Sequence, residues 1–95
     1  MKVVWTVKAE KTYLKNYDYL IENWSLGIAQ QFDEEVLKVI DIISKNPHIG
    51  RYNKDFDFSI ILVVKQVSLI YTVVGDEIFL LVFHDNRQKE IKDLF

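Results

Sequence analysis

The sequence contains no cysteine, which removes a disulfide framework, a thiolate nucleophile and a cysteine-ligated zinc site together. Only two histidines are present, His48 and His84, too few to close a metal site by themselves, and nothing else in the chain calls for a metal or another cofactor. Proline occurs once and glycine three times in 95 residues, while 49% of the chain is hydrophobic and 27% charged. That balance excludes collagen-like and disordered classes and implies one folded domain spanning residues 1–95. The longest apolar run, Ile78 to Phe83, is far short of the ~20 residues of a membrane-crossing helix. The opening Met1-Lys2-Val3-Val4-Trp5 lacks the apolar stretch of a signal peptide, so a reducing, cytoplasmic setting without a membrane is expected. Positive charge is also scarce: 12 basic residues face 14 acidic ones, a net charge of −2, which disfavours indiscriminate nucleic-acid binding. Arginine supplies just two forked donors, Arg51 and Arg87.

What is present is patterned. Lys2 to Trp5 is β-prone and Thr6 suits an N-cap, so a short strand should turn directly into a helix. Tyr13, Leu14, Tyr17, Leu20, Ile21 and Trp24 fall on one helical stripe, opposite Lys11, Lys15, Asp18 and Glu22. Ser25 can cap a second helix carrying Ile28, Phe32, Val36, Val39, Ile40 and Ile43 on one side, and the two should form an αα-hairpin. Asn46-Pro47 stops that helix, and Gly50 marks a turn.

Beyond this point the pattern turns to β. Phe58 to Val64, Val67 to Val74 and Ile78 to Phe83 are rich in β-branched and aromatic residues, with turn signals at Lys65-Gln66 and Gly75-Asp76. The expected fold class is α+β: an N-terminal strand, an αα-hairpin, then a three-stranded antiparallel meander. One mainly antiparallel four-stranded sheet should carry the helices on one face and the first strand at or near an edge. The tail, Gln88 to Phe95, can add a last helical turn. Strict alternation puts Ile60, Leu62 and Val64 on one face and Ile61 and Val63 on the other. It likewise separates Ile70, Val74, Phe79, Leu81 and Phe83 from Leu69, Tyr71, Val73, Ile78, Leu80 and Val82, so both faces read as apolar. One helical hairpin covers one face; the C-terminal segment or a docked partner must shield the other.

Several segments carry a family likeness. Trp5-Thr6-Val7-Lys8-Ala9-Glu10, Tyr19-Leu20-Ile21-Glu22-Asn23-Trp24-Ser25 and Asn46-Pro47-His48-Ile49-Gly50, in that order, precede Ile70-Tyr71 and Val82-Phe83-His84-Asp85-Asn86-Arg87-Gln88. Together they resemble the strand-to-helix passage, helix corner, loop, strand tyrosine and Asp-x-Arg-Gln exit of the RelE/ParE family of toxins from bacterial type II toxin–antitoxin systems, a grouping that includes plasmid stabilisation proteins. The resemblance spans essentially the whole chain. It implies a growth-inhibiting toxin neutralised by a cognate antitoxin protein, with one of two targets. ParE-like members bind and poison DNA gyrase without being enzymes, whereas RelE-like members cut mRNA on the ribosome.

Cleavage through the 2′-hydroxyl needs proton-transfer groups and cations around the charged phosphorane. By resemblance, Arg87 matches the family's arginine at the end of the last strand, and Lys54 lies where RelE-like enzymes carry basic residues. The two are the catalytic candidates under a nuclease reading. The C-terminal tyrosine of the RelE-like set is missing from the stretch after Arg87, and Ser59 stands where many members carry an arginine. These departures favour the gyrase-binding branch, or a degenerate non-toxic interaction domain of the same fold. The binding candidates are Arg51, Tyr71, His84 and Arg87. Each has a structural alternative. Arg87 can pair with Asp85, His84 can be a plain hydrogen-bonding residue, and Tyr71 can be core. Arg51 and Lys54 form a small basic patch with Lys65 or are merely solvated. Trp5 and Trp24 read as core, and packing accounts for Tyr13, Tyr17 and Tyr19 better than base stacking does.

Overall fold

The computed structural model describes residues 1–88. The expected final helical turn, and its service as a cover for the sheet, fall beyond Gln88 and so outside the described residues. The elements run β1 (Lys2–Trp5), α1 (Val7–Asn23), α2 (Leu26–Lys45), β2 (Arg51–Asn53), β3 (Phe58–Val64), β4 (Val67–Val74) and β5 (Glu77–Asp85). Both expected caps form: the Thr6 side chain accepts from the Ala9 amide and Ser25 from the Ile28 amide, each at 3.1 Å. The sheet order is β1-β5-β4-β3-β2, with β1 at an edge and parallel to β5 and the other pairs antiparallel. The architecture is therefore the expected α+β one, with a fifth strand added. β2 escapes pattern reading because Arg-Tyr-Asn carries no apolar run; it exists by pairing Arg51 with Ile60 and Asn53 with Phe58.

The core lies between the helical hairpin and one sheet face. From α2 it takes Ala29, Phe32, Val36, Val39 and Ile43, and from the sheet Val67, Leu69, Tyr71, Ile78, Leu80 and Phe83. Tyr13 joins the helices, its hydroxyl donating to Asp33, and burial together with that carboxylate pushes the phenol well above its ordinary pKa. On α1 the buried side differs from the apolar stripe. Ala9, Asn16 and Leu20 are buried, whereas Leu14, Ile21 and Trp24 are 58%, 40% and 56% exposed. Trp5, in contrast, packs against the core as expected.

Two bulges overturn the strict alternation. Ile70 opposes Val82 and Tyr71 opposes Leu80, which leaves Leu81 unpaired. The extra residue resets the phase, so Phe83 joins Leu80 in the helix-facing core and Leu81 and Val82 share the outer side. In β3, Leu62 opposes Ser68 and Val64 opposes Val67; the intervening Val63 is the insertion, and Val64 moves to the helix-facing cluster. The outer face is not uniformly open either. Phe58, Ile70 and Val82 are buried there, with Ile60 and Leu81 packed against them, while Leu62 remains exposed.

Candidate functional site

β1 accompanies β5 only as far as the pair Trp5 and Leu80, because the chain turns into α1 at Thr6. Among the described residues the second half of β5 thus has no neighbouring strand on that side, and its backbone groups need other partners. Side chains of α1 supply them. The Thr6 hydroxyl donates to the Leu80 carbonyl at 2.7 Å, the Phe83 amide donates to Thr12 Oγ1 at 2.9 Å, and Asn16 Nδ2 donates to the Phe83 carbonyl at 3.0 Å. This explains a buried asparagine on the core face of a helix.

Where this seam ends, a cleft of about 430 Å³ opens between α1 and the exit of β5. Lys8, Thr12, Lys15 and Tyr19 line it from α1, four positions on one side of a helix, and His84 and Arg87 line it from the strand exit. Arg87 is engaged on three sides. Its Nε donates to Asp85 Oδ1 at 3.0 Å and Nη2 to Oδ2 at 2.5 Å; Nη1 donates to the Tyr19 hydroxyl, and the guanidinium carbon lies 3.9 Å from the Tyr19 ring centroid. The Arg87 amide also donates to Asp85 Oδ1 at 2.9 Å. Hydrogen bonding by Arg87 holds the Asp85 carboxyl below its usual pKa, and the same contact raises that of Arg87. Lys8 and Lys15 make no ion pair among the described residues, so they leave the cleft cationic in a chain of net charge −2.

The structure brings together Arg87 and His84, the latter buried at 5% exposure. The remaining candidates lie elsewhere. Tyr71 is fully buried: its hydroxyl donates to the Pro47 carbonyl at 2.9 Å and accepts from the Gly50 amide at 3.0 Å, pinning the loop after α2 to the sheet. A residue so enclosed meets no partner directly, and its position in the fold is that of a strut. Arg51 and Lys54 are exposed at the β2 edge and in the loop before β3. Asn53 pairs with Phe58, which puts Lys54 near the start of β3, while Lys65 follows its end; the six residue steps from Phe58 to Val64 span about 20 Å. The three-residue basic patch therefore does not form. Lys65 sits instead beside the β5 exit, where Asn86 bonds the Gln66 and Lys65 carbonyls. Arg87 shares that end of the sheet, so Arg87 and Lys54 do not face one phosphate.

Sequence reasoning assigned Tyr19 to packing and Lys15 to the polar face of the helix, and gave Lys8 no role at a site. Their spacing at 8, 12, 15 and 19 marks one polar helix side, but only the fold shows that this side faces the arginine.

Among solved structures, the chain resembles the chromosomal ParDE toxin–antitoxin system of P. aeruginosa, with a TM-score of 0.74 and 19% identity over 90% of this chain and 95% of that one. It is also similar to a YoeB/ParE toxin from Agrobacterium tumefaciens, with a TM-score of 0.64 and 15% identity over 90% and 99% of the two chains. A heterotetrameric YoeB-YefM toxin–antitoxin complex from Staphylococcus aureus matches with a TM-score of 0.56 and 15% identity over 86% and 92%. No curated protein matches the chain in sequence. These likenesses are of fold, and the sequence carries the family: residues 3–89 match the ParE toxin of the type II toxin–antitoxin system parDE, and the chain belongs to that family.

Proposed function

We propose that this chain is a toxin that binds and poisons DNA gyrase rather than cutting mRNA, and that a cognate antitoxin protein holds it inactive. The observation that carries this reading is the placement of the cations. Arg87 is committed to Asp85 and Tyr19, and Lys54 lies at the far end of the sheet. A phosphorane needs its stabilising cations converged and oriented before the reaction, and among the described residues the two candidates are not. Binding a protein target asks only for a surface. The antitoxin reading is supported by family membership and by the toxin–antitoxin assemblies among the structural relatives. Exposed apolar side chains for such a partner lie on one side of α1 and its corner, at Leu14, Ile21, Trp24 and Leu26, more than on the outer sheet face.

One observation favours the mRNA alternative: His84, a potential proton-transfer group, shares its cleft with Arg87, Lys8 and Lys15. Purified toxin added to gyrase and plasmid DNA, beside a parallel reaction with programmed ribosomes, separates the two. Stabilised double-strand breaks or lost supercoiling with intact mRNA is the expected result. Ribosome-dependent cleavage with gyrase unaffected would replace the proposal by the nuclease. In cells, collapse of thymidine incorporation ahead of amino-acid incorporation after induction gives the same discrimination.

A further inference from the structure

At the opposite end of the sheet from Arg87, a second cleft of about 490 Å³ lies beside the loop between β2 and β3, walled by Tyr52, Asp57, His48, Ser59 and Thr72. Among the described residues, no lysine or arginine lines it. Its walls are held in place by the chain itself. The Tyr52 hydroxyl donates to Asp57 Oδ1 at 2.8 Å, Thr72 Oγ1 donates to the Asp57 carbonyl at 2.8 Å, and Asn53 Oδ1 accepts from the Asp55 and Phe56 amides. Asp57 itself adopts a left-handed backbone, φ 55°, which aspartate tolerates better than most side chains. Ser59 is only 7% exposed, and its hydroxyl makes no hydrogen bond among the described residues.

The protein also shows how it holds a guanidinium. Around Arg87 the ingredients are a tyrosine ring under the cation, the hydroxyl of that tyrosine, and an aspartate accepting from two of its nitrogens. The second cleft offers the same chemistry without a cation: a half-exposed tyrosine ring, an aspartate and a spare hydroxyl. Asp57 uses one acceptor position of its carboxylate on Tyr52, whereas an ionised carboxylate has about four. We propose that this cleft receives the guanidinium of an arginine side chain from a partner protein, with Tyr52 as its stacking surface and Asp57 as its counter-charge. Arginine fits better than lysine, because a planar fork meets ring and carboxylate at once whereas an ammonium is a compact, strongly hydrated point charge. The inference holds whether or not gyrase is the target.

The test is a heteronuclear NMR titration of the intact chain with N-acetyl-arginine amide, with N-acetyl-lysine amide at equal ionic strength as the reference. The expected result is saturable shifts at Ser59, Thr72 and Gly75, several-fold tighter for the arginine derivative. Asp57→Asn should abolish the response with the fold intact, since asparagine keeps the left-handed backbone, and Tyr52→Leu should weaken it several-fold. Equal binding of both amides, shifts scattered over the acidic surface, or a response unchanged in Asp57→Asn would each overturn the proposal.

Discussion

Tyr71 and Gly50 form a pair whose energetics can be worked out before measurement. Replacing Tyr71 by phenylalanine keeps the ring in the core but strands the Pro47 carbonyl and the Gly50 amide, both part-buried. Leaving such groups unsatisfied costs about 1–3 kcal/mol. At Gly50 the difficulty is space, since a Cβ there would stand 2.6 Å from the Tyr71 hydroxyl oxygen and 3.0 Å from its Cε1. Gly50→Ala must push the ring or the loop aside, an overpacking penalty of about 1–3 kcal/mol. In the double variant the closest of these atoms is gone, so the alanine fits with less displacement. The two losses should then fall short of their sum by at least ~0.5 kcal/mol, beyond the scatter of independent sites. Urea unfolding at constant m-value measures all three variants. Each single change should lower the melting temperature, by about 4–8 °C for every kcal/mol in a domain of this size. Strict additivity, or a Tyr71→Phe variant as stable as the parent, would refute the strut.

Three further outcomes follow from the structure. Asn16→Leu removes the donor to the Phe83 carbonyl while keeping an apolar helix face, and should destabilise the chain by about 1–3 kcal/mol, with faster hydrogen exchange along the end of β5. Asp85→Asn should cost about 0.5–1 kcal/mol at pH 7, discounted because the Arg87 side chain is 49% exposed. The sign is fixed by the lowered carboxyl. Its contribution is complete above the unfolded value near ~3.9 and is lost as pH falls through the lower folded one, so parent and variant should converge in acid, followed by thermal melts from pH 7 to 2. Trp24→Lys should change stability by no more than ~0.5 kcal/mol in urea unfolding, because the residue is 56% exposed.

Where a local rule and its tertiary context agree, the sequence was readable. Thr6 and Ser25 cap as their chemistry suggests, all six apolar positions of α2 reach the core, and the strands between Phe58 and Val74 begin and end at the expected residues. What escaped depends on single residues answering distant needs. Asn16 and Thr12 look solvent-facing until β5 is seen to want a donor and an acceptor. Leu81 and Val63 look like ordinary members of alternating strands, because no composition cue marks a bulge among Val, Leu and Ile. The tie between Arg87 and Asp85 was legible as a local pair; Tyr19, 68 residues away, was not. The distance between Arg87 and Lys54 is likewise a property of strand direction, invisible to residue type.

The seam between α1 and β5 has a protective meaning. A bare strand margin invites another chain to add itself, but at Phe83 no visitor can pair without displacing Thr12 and Asn16. The helix therefore acts as a surrogate strand at this point. Its outer side carries Leu14 and Ile21, and its inner side grips the backbone two residues before Asp85. One helix thus keeps the exposed apolar patch and the cleft of Arg87 on opposite sides of itself, so a protein covering Leu14 and Ile21 leaves the seam intact.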